Sequence, residues 1–118
     1  MLVPILALAM MQQSTAQTID RTRGSYIFHA CQASIRFQDN PPIATDSDVR
    51  LSATCGDWLV GFTEAGALAK FFCPGTVTQA TLARVYVSYM EKNPTLMDAP
   101  RGSGALLALS EAYPCPAK

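Results

Sequence analysis

Residues 78–92 read TQATLARVYVSYMEK, and this stretch decides the fold class. Leu82, Val85, Tyr86, Tyr89 and Met90 fall at offsets 0, 3, 4, 7 and 8. At about 3.6 residues per turn, side chains with that spacing share one face of an α-helix. Val85-Tyr86-Val87 alone has strand-like composition, but the period around it is helical. Thr78 is a suitable N-cap, because its hydroxyl can accept from an N–H that the first turn leaves unpaired. Thr76 with Gln79 also fits the capping-box spacing, so a start two residues earlier stays open. Asn93-Pro94 closes the helix near Lys92, since Pro lacks an N–H and disfavours α geometry before it.

The same reading extends outward. Upstream, a helix is expected from Asp46 or Ser47, either of which can cap it, to about Lys70. Its apolar stripe is Leu51, Cys55, Trp58, Leu59, Phe62 and Ala65 or Gly66. Gly56, Gly61 and Gly66 recur within it, and each costs about 1 kcal/mol relative to Ala. Close approach of another helix is the expected return. Phe71-Phe72-Cys73-Pro74-Gly75 punctuates the chain after it. Further upstream, Ile27, Ala30, Cys31, Ser34 and Ile35 mark one face of a helix over Thr22–Phe37, stopped by Asp39-Asn40-Pro41-Pro42. Downstream, a loop from Thr95 to Ala99 leads to a helix that begins at Pro100 or Ser103 and ends near Tyr113. Ala105, Leu106, Leu109, Ala112 and Tyr113 form its apolar side. The expectation is an all-α, compact four-helix domain, with Trp58, Phe62, Phe72, Leu82, Val85, Tyr86, Tyr89, Leu106 and Leu109 in its core.

The N-terminal residues read MLVPILALAMM, an apolar run without charge. A bilayer span needs about 20 such residues, so the run is too short to cross. It fits the h-region of a secretory signal, with small residues Ser14 and Ala16 before a cut after Ala16. Residues 1–16 are expected to be a signal peptide and 17–118 the helical domain, leaving no membrane insertion after cleavage. Export bears on the four cysteines, Cys31, Cys55, Cys73 and Cys115, because an even count in a small exported chain suggests disulfides. Three pairings are open. Cys31–Cys55 with Cys73–Cys115 is favoured, the first joining consecutive helices and the second tying the last helix back to the turn before the third. By loop entropy each contributes about 3–4 kcal/mol. No CxxC spacing is present for a zinc ribbon or a thioredoxin-type site.

Composition bounds the function. Nine Lys and Arg balance nine Asp and Glu in 118 residues, with no basic cluster to face phosphates, so no nucleic-acid partner is expected. His29 is the one histidine. The candidates for acid–base chemistry are His29, Asp57, Glu64, Glu91 and Glu111. Asp57 and Glu64 share a helix face, but two turns put them about 10 Å apart along the axis. A solvated polar face is the better reading of that pair. His29-x-Cys31 lacks further metal ligands, and Tyr86 with Tyr89 reads as core. There is no Gly-rich phosphate loop, no G-x-S-x-G and no H-E-x-x-H. No catalytic residue, metal or cofactor is expected, which points to a protein that binds something.

Four motifs then occur in order. They are Cys55-x-x-Trp58-Leu59-Val60-Gly61-Phe62; Phe72-Cys73-Pro74-Gly75-x-Val77-Thr78-x-x-x-Leu82; Tyr89-Met90-x-x-Asn93-Pro94; and Ala105-Leu106-Leu107-Ala108-Leu109-x-Glu111-Ala112-Tyr113-Pro114-Cys115. As an ordered set over residues 25 to 116 they resemble the Rap/Tai family of small exported helical proteins. The best-studied members of that family are periplasmic immunity proteins against peptidoglycan amidases delivered by type VI secretion. The resemblance implies a non-catalytic toxin inhibitor whose partner is a cell-wall amidase effector, and a homodimer as in some relatives. Thr95-Leu96-Met97-Asp98 stands where the family usually carries basic and acidic residues after Asn-Pro. The Thr95–Arg101 connection is the candidate plug for the amidase cleft, with exposed Leu96 and Met97 beside Asp98 and Arg101; the other reading, that Leu96 and Met97 simply cap the core, stays open. The alternative is a general envelope interaction or chaperone module without a cognate toxin.

Overall fold

The computed structural model describes residues 19–117. The expected signal peptide lies outside the described residues. Among the described residues four α-helices follow one another: α1 (Gly24–Asp39), α2 (Asp46–Leu68), α3 (Gln79–Lys92) and α4 (Arg101–Ala112). Short 3₁₀ turns, Pro41–Ile43 and Pro94–Met97, sit in the first and third connections. Each opens on a proline, which has no N–H to leave unpaired there. Among the described residues there is no β-strand, only an isolated antiparallel bridge between Arg23 and Pro100.

The helix ends follow from local chemistry. Thr78 caps α3, its hydroxyl accepting from Thr81 N–H at 3.2 Å. The start of α2 differs from expectation, because the cap is Thr45 rather than Asp46 or Ser47. Thr45 Oγ1 accepts from Asp48 N–H (3.1 Å), and Asp48 Oδ2 accepts from Thr45 N–H (3.2 Å). This reciprocal box satisfies two N–H groups at once and wins over a simple cap. Asp46 and Asp48 then sit in the first turn, where the helix dipole favours negative charge. At the other end Lys70 adopts φ 60°. Phe71 N–H donates to Gly66 O (2.9 Å) and Lys70 N–H to Ala67 O (3.1 Å), so α2 closes in a Schellman turn.

Tyr86, Phe72, Ile27, Leu59, Met90 and Leu109 are the large side chains fully withdrawn from water. The Tyr86 hydroxyl donates to Gly24 O at 3.2 Å, tying α3 to the first turn of α1. Burial pushes its phenol well above the ordinary value. On α3 the buried set is Leu82, Ala83, Tyr86, Val87 and Met90, while Val85 and Tyr89 are half-buried. The helix packs against α1, α2 and α4, so its buried arc is broad and turned toward Ala83 and Val87. Leu106, expected in the core, is 38% exposed. Trp58 and Phe62 are half-buried and pack on the core from its edge. Ser34 fits the buried face of α1 because its hydroxyl is paired, accepting from Gln38 Nε2 (3.0 Å) and Ser52 Oγ (3.3 Å).

The glycines of α2 make room for side chains rather than for a helix backbone. The Gln79 side chain crosses Gly56, and the Phe72 ring lies against Gly66. Gly61 faces open space. Both favoured disulfides are present. Cys31–Cys55 is fully buried between α1 and α2, with a Cα–Cα distance of 4.9 Å. Cys73–Cys115 joins the segment after α2 to the segment after α4, with a Cα–Cα distance of 4.8 Å. Cys73 is exposed there, and its N–H donates to Tyr113 O at 2.8 Å.

Candidate partner-binding surface

The connection between α3 and α4 is held from both sides. Asn93 Nδ2 donates to Tyr89 O (2.9 Å) and closes α3. Gly24 N–H donates to Ala99 O (2.9 Å), and Arg101 N–H donates to Thr22 O (2.8 Å). These two bonds clip the strand-like segment ahead of α1 onto the segment ahead of α4. Arg23 adds a third tie, its Nη1 donating to the Asp98 carbonyl at 2.6 Å. Arg23 is itself steered by Asp20, whose carboxylate accepts from Arg23 Nε at 3.0 Å. The Thr22 hydroxyl and N–H, and then Arg23, hold the Asp20 carboxyl below its ordinary value.

Leu96 and Met97 are half-buried and pack against the core, contrary to the expectation that they are exposed. The 3₁₀ turn directs both inward, where apolar area is removed from water. Thr95, Asp98, Pro100 and Arg101 are left as the exposed side chains of the connection. Of the four residues proposed from sequence, Asp98 and Arg101 thus face solvent while Leu96 and Met97 turn toward the core.

Arg101 leads to a feature that the sequence reading missed. Its guanidinium lies 5.9 Å from the centroid of the Trp58 ring. Trp58 stacks on Phe62 (centroids 5.1 Å, interplanar angle 18°), and Phe62 stacks on Phe72 (6.2 Å, 20°). Beyond Phe62 a groove of about 610 Å³ runs between α2 and α4. Ala65 and Gly66 of α2, Gly102 of α4, and the exposed side chains of Phe71 and Leu106 line it. Among the described residues no charged side chain lines it. The available signals were the Phe71-Phe72 pair, of which one ring turns inward and one outward, and the small residues spaced along the C-terminal half of α2.

The acid–base candidates do not converge. His29 is exposed, with Nδ1 3.3 Å from Gln32 Oε1. Asp57, Glu64, Glu91 and Glu111 are each exposed. Among the described residues no three His, Cys, Asp or Glu side chains are grouped to hold a metal ion. All four thiols are consumed in disulfides. Among the described residues no helix is long and apolar enough to cross a membrane.

The fold is that of a small all-α domain fastened by two disulfides. The chain belongs to the Rap1a immunity protein family, whose model matches residues 23–115. The matched span runs from the residue ahead of α1 to the last cysteine, so it includes all four helices and both disulfides. No curated protein and no solved structure gives a significant match.

Proposed function

We propose that this chain is a non-catalytic periplasmic immunity protein that binds and inhibits a peptidoglycan amidase toxin delivered by type VI secretion. Membership of an immunity family is the observation that carries the reading. The two disulfides support the exported setting, since such bonds persist in oxidising compartments. They also favour binding, because a pre-stiffened surface loses less freedom on association. The Thr95–Arg101 connection is the contact we assign. Asp98 and Arg101 meet the effector, while Leu96 and Met97 hold the shape of the loop. A homodimer is the assembly that the sequence resemblance implies.

Co-expression tests the reading. An exported amidase effector from the same genome is produced with and without this chain, and lysis is followed by culture density. Protection is expected from the wild type, weakened by joint replacement of Asp98 and Arg101. Lysis unaffected by the wild-type chain, for every such effector, overturns the assignment.

A further inference from the structure

We infer that the groove between α2 and α4 docks a partner segment that presents an apolar side chain beside a carboxylate. The groove supplies the apolar half. Phe62, Phe71 and Leu106 line it with large apolar side chains, and Ala65, Gly66 and Gly102 add only small ones. Its volume of about 610 Å³ admits one or two large side chains. Phe71 is 64% exposed, so a wall of this groove is left in water in the free protein. Burying such area is the driving force that the occupant supplies.

Arg101 supplies the charged half. Its guanidinium lies 5.9 Å from the centre of the Trp58 ring, which stacks on Phe62 of the groove, and it pairs with no carboxylate among the described residues. Arg101 is exposed, so the N–H edge of its guanidinium is open to a partner. That edge matches the planar geometry of a carboxylate and takes two parallel hydrogen bonds from it. An uncharged groove near an unpaired cation selects an apolar residue with Asp or Glu close by. A basic segment is repelled at the same point. The inference deepens the immunity reading, and only the identity of the partner as the effector rests on that reading.

The test uses the oxidised full chain and a phage-displayed library of random 12-residue peptides. Selected peptides are expected to carry Leu, Met or Phe near Asp or Glu. A synthetic copy of one shifts the backbone resonances of Gly66 and Gly102 in the wild-type protein. Leu106→Glu weakens that peptide about tenfold or more. Arg101→Gln removes the preference for the acidic residue. Leu106→Ala, a milder change, weakens binding with the same sign, and unchanged near-ultraviolet circular dichroism checks each variant's fold. Three results overturn the inference: selection of basic peptides or of none, peptides indifferent to both positions, or a wild-type dimer in sedimentation that Leu106→Glu converts to monomer. The last would give the groove to a second copy. Toxin protection separates this inference from the function. Full protection by Leu106→Glu and Arg101→Gln overturns the effector as the groove's occupant and leaves the immunity reading standing. Acidic-apolar peptides bound at the groove without protection by the wild type sustain the groove and remove the immunity reading.

Discussion

The ring of Phe72 occupies the space that a Cβ on Gly66 would need. Two effects oppose each other in Gly66→Ala. Helix propensity favours Ala by about 1 kcal/mol. Overpacking costs about 1–3 kcal/mol, and the ring cannot retreat easily because the next residue, Cys73, is cross-linked. Gly66→Ala is therefore expected to be destabilising by up to about 2 kcal/mol. Gly61 has no neighbour within 4 Å of such a Cβ, so Gly61→Ala is expected to stabilise by up to about 1 kcal/mol. Urea titrations of the two variants give the signs. Equal shifts in one direction would contradict the packing described at Gly66.

Lys70 holds a left-handed backbone that glycine adopts without strain. Its side chain is not needed for the Schellman turn, which is made by backbone groups. Replacing Lys70 by Gly is expected to raise stability by about 0.5–1 kcal/mol. Replacing it by Val should lower stability, since a β-branched side chain tolerates positive φ less well. Thermal melts of both variants check the ordering.

The two disulfides differ in exposure, and this sets the order of reduction. Cys31 and Cys55 are fully buried, while Cys73 is exposed. Dithiothreitol should open Cys73–Cys115 first, giving an intermediate with thiols at those two positions. Mass spectrometry after alkylation identifies them. Chain entropy assigns about 3.5 kcal/mol to the shorter loop and about 4 kcal/mol to the longer. Double replacement of Cys31 and Cys55 by Ser is nevertheless expected to cost more than the same change at Cys73 and Cys115. The first pair also leaves two hydroxyls in an apolar interior.

Acid should weaken the fold through carboxylates that the folded state holds charged. Asp48 is lowered from 3.8, first by its bond from Arg36 and then by the Thr45 N–H; Asp20 is lowered from 3.8 by the Thr22 and Arg23 bonds. A lowered folded value stabilises above the unfolded value, and that gain is lost as pH falls through the folded one. The melting temperature should thus be level from neutral pH to about 5 and decline below about 4. Asp48→Asn together with Asp20→Asn should start lower and decline less. Asp20 is exposed, and Asp48 is half-buried beside an exposed Arg36, so the effect is small and shrinks with added salt.

The helices were legible because their ends carry strong chemistry. Asn93-Pro94 and Asn40-Pro41 stop α3 and α1 for reasons internal to the chain, and Thr78 starts α3 as its hydroxyl dictates. The pairing of Cys31 with Cys55 followed from their place on facing stripes. Rotation about a helix axis was less legible. Val85 and Tyr89 are as apolar as Val87 and Ala83, and only the packing of α1, α2 and α4 around α3 decides which pair is covered. The surface was least legible. Leu106 and Leu109 look alike in a periodicity, yet one lines an open groove and the other is buried. Arg101 and Trp58 are far apart in sequence, and only the fold stacks them.

The most direct measurement is a titration of peptidoglycan hydrolysis. Purified amidase effector is assayed on isolated cell walls while the oxidised chain is added in known amounts. Hydrolysis falling to zero at a fixed stoichiometry, with the chain alone releasing no product, is the predicted result. Full hydrolysis at a large excess of the chain, or hydrolysis by the chain itself, would contradict the account.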